Sequence, residues 1–162
     1  MEKLIDLAKN AYLGFVWLAN KGTCPLLLFI RIYWGIQFMQ DGYGKLTHLD
    51  RVTDFFTSLN LPAPHMTALM VGSVELIGGF LFLFGIASRL VSLVLFLNMT
   101  MAYLSVPDDR TNFFHMFTKP EDFYGASPYT YWFAALLILI LGPGWVAVDT
   151  LLGRWFAPKT KH

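Results

Sequence analysis

The chain has 162 residues, of which 56% are hydrophobic and 14% charged, against roughly 45 to 50% apolar and 25% charged in a soluble domain. Twelve basic and eleven acidic residues leave a formal net charge of +1, too little to hold a phosphate backbone, which needs several Lys or Arg contacts in one patch. These figures describe a membrane protein, exclude nucleic acid as its main partner, and at about 20 apolar residues per crossing leave room for four or five spans in a single transmembrane domain.

In chain order, residues 4–18 set Lys3, Asp6, Lys9 and Asn10 against Leu4, Leu7, Ala8 and Phe15, the pattern of a surface helix, with a fifth short crossing as the other reading. Glu2 and Asp6 interrupt the apolar stretch that a cleavable signal peptide needs, so the segment is expected to belong to the mature protein. The first span is predicted over residues 25–42, opened by Pro25 at a position where a missing N–H costs nothing. Within residues 50–60, Val52, Phe55, Phe56 and Leu59 fall at i, i+3, i+4 and i+7, which predicts a short amphipathic helix in the interface. Spans are predicted at 67–85 and 88–106, and the tight turn between them makes them antiparallel neighbours. A fourth span, 129–145, is closed by Gly142, Pro143 and Gly144. The expected fold is therefore an all-α, integral membrane four-helix bundle with short interfacial helices at the N-terminus and in the first loop.

Seven basic residues, Lys3, Lys9, Lys21, Arg89, Arg154, Lys159 and Lys161, fall on the side of the two termini, and four, Lys45, Arg51, Arg110 and Lys119, on the other. This bias predicts that both termini are cytoplasmic.

Two charges lie at membrane depth. Arg31 is about 9 Å of helix rise from the start of the first span, and Glu75 lies near the middle of the second. Such groups cost a few kcal/mol in lipid even on lenient scales and normally face the bundle interior and pair. On this reasoning an Arg31–Glu75 ion pair is predicted. Gly35, Phe38, Gly42 and Lys45 follow Arg31 on one stripe, and Gly72, Gly78 and Gly79 surround Glu75. These small residues serve close helix approach or leave room for a ligand. Gln37, Gln40 and Asp41 add polar groups at the outer end of span one, and Asn98 is placed on the inner face of span three. Two readings stay open at this point: the pair fixes helix register, or it binds a ligand or carries a proton.

His48, His65 and His115 fall in the outer loops and His162 is terminal, so ligation of haem between spans is not expected, and solvated histidines are preferred to a metal site. The single cysteine, Cys24, allows neither an internal disulfide nor a Cys-x-x-Cys pair. Aromatic residues within the spans, including Tyr33, Trp34 and Phe38, either pack the bundle or stack on a flat quinone-like headgroup. The loop 108–128, with Phe113, Phe114, His115, Met116 and Phe117, is aromatic enough to meet a partner or the interface.

Arg31, Gly35, Phe38 and the turn Gly42-Tyr43-Gly44-Lys45-Leu46, then Leu61-Pro62-Ala63-Pro64, then Glu75-Leu76-Ile77-Gly78-Gly79 with Gly85 and Arg89, and finally Gly142-Pro143-Gly144 with Asp149, resemble the DoxX family of small four-helix membrane proteins. That family is related to the quinone-reducing subunit of archaeal thiosulfate oxidoreductases. The resemblance implies a bundle in the cytoplasmic membrane associated with redox chemistry. No haem ligands, iron–sulfur cysteines or dinucleotide fingerprint occur in the chain, so electrons would come from an oxidoreductase partner. The expected site comprises Glu75 and Arg31, with Lys45, Gln37, Phe38, Asn98 and Trp34 around a possible bound quinone. The other expectation is a non-catalytic accessory subunit of a larger membrane complex.

Overall fold

The computed structural model describes residues 2–156, with side chains described at 5, 6 and 9–153. Lys3, Leu4, Leu7, Ala8, Arg154, Lys159 and Lys161, used above for the surface face and the orientation, and the terminal His162 have side chains outside those described.

Among the described residues, eight helices follow one another: α1 (Glu2–Thr47), α2 (Leu49–Ser58), α3 (Pro64–Phe84), α4 (Ser88–Ser105), α5 (Pro107–Phe114), α6 (Pro120–Gly125), α7 (Tyr129–Leu141) and α8 (Val148–Phe156). Three are long and apolar enough to cross a membrane: α1 over Lys9–Thr47, α3 and α4. The fourth, α7, is apolar but has 13 residues, a rise of about 20 Å against a hydrocarbon layer of roughly 30 Å. Packing of α1 on α3, α3 on α4, α4 on α7 and α7 on α1 closes these four into a ring. Phe38, Phe82, Leu95, Ala135 and Ile138 fill its centre and are fully buried. Phe38 meets Phe82 and Tyr131 edge-on, with ring centroids 6.1 and 5.0 Å apart, the geometry aromatic quadrupoles favour.

The first span differs from expectation at both ends. The helix neither begins at Pro25 nor ends at Gly42; it continues from Glu2 through Pro25 to Thr47. Proline costs a helix only the bond its own N–H would have made and a clash with the preceding turn, and the apolar residues on both sides carry the helix across it. The fourth span also stops earlier than 145. Gly142 and Gly144 adopt φ +84° and +80°, which ends α7 at Leu141.

The amphipathic segment of the first loop forms α2, which packs on α3 and leaves Phe55 half exposed. The loop 108–128 folds as α5 and α6, and two of its rings turn inward. Phe113 and Phe123 lie 5.5 and 5.4 Å from Tyr103, whose hydroxyl donates to the Phe123 carbonyl at 2.9 Å. Phe114, Phe117 and Tyr124 remain exposed.

Candidate functional site

The register between α1 and α3 is set by glycines. A Cβ on Gly42 would stand 2.4 Å from the Leu76 nitrogen and 2.7 Å from the Gly72 carbonyl oxygen, and one on Gly79 would stand 2.8 Å from the Met39 nitrogen. The two backbones are thus in direct contact, as small residues permit in lipid. The glycines beside Glu75 are used for helix approach.

This register places Arg31 level with the end of α3, about 10 Å of rise from Glu75. The predicted Arg31–Glu75 pair does not form. Arg31, 2% exposed, turns its guanidinium to backbone carbonyls. Nε donates to Phe82 at 3.2 Å and Nη2 to Leu83 at 2.9 Å, while Nη1 donates to Pro143 at 2.8 Å and Val146 at 2.7 Å. The last carbonyls of a helix have no partner within it, and the broken chain after α7 offers more. A planar fork of five donors satisfies both sets at once. Gly85 is required here twice over: its φ is +70°, and a Cβ would lie 2.8 Å from the Arg31 Cζ. Asp149 completes this end of the bundle. Its Oδ1 accepts from the Ala87 N–H at 2.7 Å and its Oδ2 from the Ser88 N–H at 2.6 Å, capping α4, and its own N–H donates to the Gly85 carbonyl at 3.0 Å. Burial alone would push the Asp149 carboxyl up. The Ser88 backbone and side-chain bonds, the Ala87 N–H and the nearby Arg31 charge outweigh it and hold the group below its ordinary value.

Glu75 finds other partners. Eleven residues into α3, it is 2% exposed and near mid-depth. Its Oε2 forms an ion pair with the Lys45 ammonium, and its Oε1 accepts from Asn98 Nδ2 at 3.1 Å. Lys45 reaches it because α1 runs past Gly42 to Thr47 and lies against Gly72, one turn from Glu75. The Lys45 side chain is 30% exposed, so its stem lies on α3 while the ammonium links the buried carboxylate to the bundle's outer edge. Asp41 and the Tyr131 hydroxyl interact beside this group. Sequence reasoning placed Asp41 near the site and missed Tyr131; its position two residues into an apolar helix gave no signal apart from its hydroxyl.

The remaining expected residues separate. Phe38 is fully buried in the core and Trp34 packs partly buried against it, with Tyr33 at 4.7 Å. Gln37 is half-buried on α1. Among the described residues, the hydrogen-bond partners of Glu75 are Lys45 and Asn98. His48 and His115 each direct Nδ1 to a carbonyl of their own segment, Gly44 and Thr111. Among the described residues, two of the surface cavities lie against the bundle. One of about 470 Å³ opens beside Arg89, Pro143 and Asp149; the other, about 290 Å³, is an apolar groove between α3 and α4 lined by Val74, Gly78, Leu81 and Val94. Glu75 lines neither.

An α-helical membrane bundle that buries one carboxylate between an ammonium and a carboxamide is the class that fold and site define. The chain belongs to the DoxX family, whose model matches residues 26–108, a stretch that includes Arg31, Lys45, Glu75 and Asn98. It is also 34% identical over 79 residues to a Bacillus subtilis protein described as "Putative oxidoreductase CatD". That match covers 49% of this chain and 58% of the relative, less than two thirds of the relative's length. No solved structure matches the chain.

Proposed function

We propose that the protein is the membrane subunit of a quinone-linked oxidoreductase, located in a bacterial-type inner membrane with both termini cytoplasmic, in which Glu75 and Lys45 handle protons and a partner protein supplies electrons. The observation that carries this reading is the composition of the Glu75 site: a carboxylate at mid-depth held by two side chains, one of them titratable and half-buried, where a purely structural anchor needs only backbone partners. Membership of the DoxX family and likeness to a relative described as an oxidoreductase support the redox association.

Reduction of a quinone takes two electrons and two protons to give the quinol. In this proposal the electrons come from the partner's redox centre. Glu75, recharged through Lys45 from the membrane surface, delivers protons to the quinone carbonyl oxygens, and Asn98 donates a hydrogen bond that orients the ring. The apolar groove between α3 and α4 reaches Val94, one helical turn before Asn98, which gives an approach from lipid.

The test is quinone reduction by native membranes and by the complex purified gently from them, with bound quinone extracted from the same sample. Glu75→Gln keeps the side chain's shape and removes the proton; the expected result is at least a tenfold loss of quinone reduction with the complex still assembled. Unchanged reduction, together with no quinone in the purified sample, overturns the reading. One observation favours a second reading, an accessory subunit that seals or orients a larger complex: Glu75 lines neither of the two cavities described above. In that case a joint Lys45→Met and Glu75→Gln replacement leaves the activity of the complex intact.

A further inference from the structure

The N-terminal half of α1 stands clear of the bundle. Ile5, Tyr12, Phe15 and Leu18 are between 63 and 67% exposed, whereas Leu27 and Ile30 further along the same helix are 3 and 6% exposed. At about 100° per residue, the described charged and amide side chains Asp6, Lys9, Asn10, Asn20 and Lys21 share an arc of about 120°, and the Thr23 hydroxyl falls outside it. Ile5, Tyr12, Phe15, Val16, Leu18 and Ala19 occupy about 160° on the other side. Leu13 and Trp17 are the apolar residues left on the polar side, and there the Lys21 ammonium lies 3.6 Å over the Trp17 ring, sheltering one ring face.

This segment suits neither lipid nor water alone. Its continuous apolar run, residues 11–19, rises about 13 Å, less than half of a roughly 30 Å hydrocarbon layer. The edge of the bundle falls just after it: the Trp145 N–H donates to Cys24 Sγ at 3.4 Å, and a Cβ on Gly144 would meet Leu27 at 3.4 Å. A helix continuing straight from that edge would hold its whole apolar arc in water. Pro25 lies at the same level. It has no N–H for the Lys21 carbonyl, so one rung of the helix is absent and bending costs least there.

We infer that α1 bends at Pro25 and that residues 5–23 lie along the membrane surface, with the Phe15 side in the acyl boundary and Lys9 and Lys21 toward anionic headgroups. The partner of this face is a lipid surface. Two lysines against one aspartate on the polar arc give the charge that anionic phospholipid attracts. Another amphipathic helix, α8, begins at the same end of the bundle and leaves Leu151 and Leu152 about half exposed.

The test uses the full chain in vesicles of phosphatidylethanolamine and phosphatidylglycerol. Cys24→Ser keeps an acceptor for the Trp145 N–H, and single substitutions Asp6→Cys, Lys9→Cys, Tyr12→Cys, Phe15→Cys, Leu18→Cys and Asn20→Cys each carry a spin label. Leu97→Cys, on the lipid side of α4, reports that the bundle is intact. The expected result is a helical alternation: labels at 12, 15 and 18 collide several-fold more with oxygen than with a water-soluble nickel chelate, and labels at 6, 9 and 20 show the reverse. Labels at 12, 15 and 18 shielded from both reagents would mean a protein cover, with dipolar broadening identifying a second copy. Equal access of the chelate to both faces would mean a helix standing in water. Either outcome overturns the inference.

Discussion

Two buried charges in one bundle are held in opposite ways. Arg31 gives every hydrogen bond it makes to backbone carbonyls of α3 and of the chain after α7, none of which can change charge. Glu75 is held by Lys45 and Asn98, side chains that can move and, in one case, titrate. An intramembrane ionisable residue is a functional candidate by default, and the contrast refines that rule. Backbone partners mark a staple, while side-chain partners with a path to the surface are what the proposed proton exchange requires.

The largest effect is expected at the staple. Arg31→Ala leaves buried carbonyls at two chain ends without a donor, and each costs about 1 to 3 kcal/mol, so a destabilisation on the order of 4 kcal/mol is expected in detergent unfolding. Arg31→Lys keeps the charge but loses the planar fork and should recover only part of it. Full recovery by lysine would show that charge, rather than the geometry of the carbonyl bonds, holds this end together.

The Glu75 site should respond asymmetrically. Lys45→Met strands a buried carboxylate, with an expected loss of about 3 kcal/mol. Glu75→Gln leaves an ammonium that is already 30% exposed in its side chain and can turn to water, at a cost of about 1 kcal/mol. The double replacement should return to the level of Glu75→Gln alone, and unfolding midpoints of the four proteins measure the coupling. Equal single-mutant losses would remove the distinction between the two charges of the pair.

Much of this architecture was legible in the sequence because lipid imposes long apolar runs. The order of the spans, the tight α3–α4 turn and the first-loop helix follow from hydropathy and helical spacing. Glu75 and Asn98 could be placed on inner faces for the same reason. What could not be read were the partners of Arg31, since a backbone carbonyl freed at a helix end leaves no mark in residue identity. Lys45 was expected at the site, but ending the first span at Gly42 hid that it, and not Arg31, is the ion-pair partner of Glu75. The signal that would have corrected it was present in Gly42 and Gly72, whose mutual approach sets the register; with α1 run on past Gly42, Lys45 falls beside Gly72 and within a turn of Glu75.

That register gives a smaller and sharper comparison between two glycines of one helix. Gly42→Ala would drive a Cβ into the Leu76 nitrogen and the Gly72 carbonyl, and backbone cannot give way as a side-chain tip can. An overpacking cost of about 2 kcal/mol is expected, and under the proposed function displacement of Lys45 from Glu75 also lowers quinone reduction. Gly44→Ala meets nothing within 4 Å and lies inside a helix, so it should be neutral or stabilising by up to about 1 kcal/mol.

The smallest effect separates the ends of the bundle by pH. Asp149 caps α4 beside the staple, and Asp149→Asn keeps one acceptor oxygen while losing the charge and the second. A loss of about 1 kcal/mol is expected near neutral pH. Burial works against the Asp149 charge, yet the bonds from Ser88 and Ala87 and the Arg31 charge hold its carboxyl below the ordinary value. A depressed folded value contributes stability that is fully present above the unfolded value, near 4, and is lost as pH falls through the folded one. The gap between wild type and Asp149→Asn should therefore be constant from pH 7 to about pH 5 and close as pH drops below about 4. A gap that does not narrow at all as pH falls below about 4 and on toward acid unfolding would mean that shape, and not the carboxylate charge, holds the α3–α4 turn.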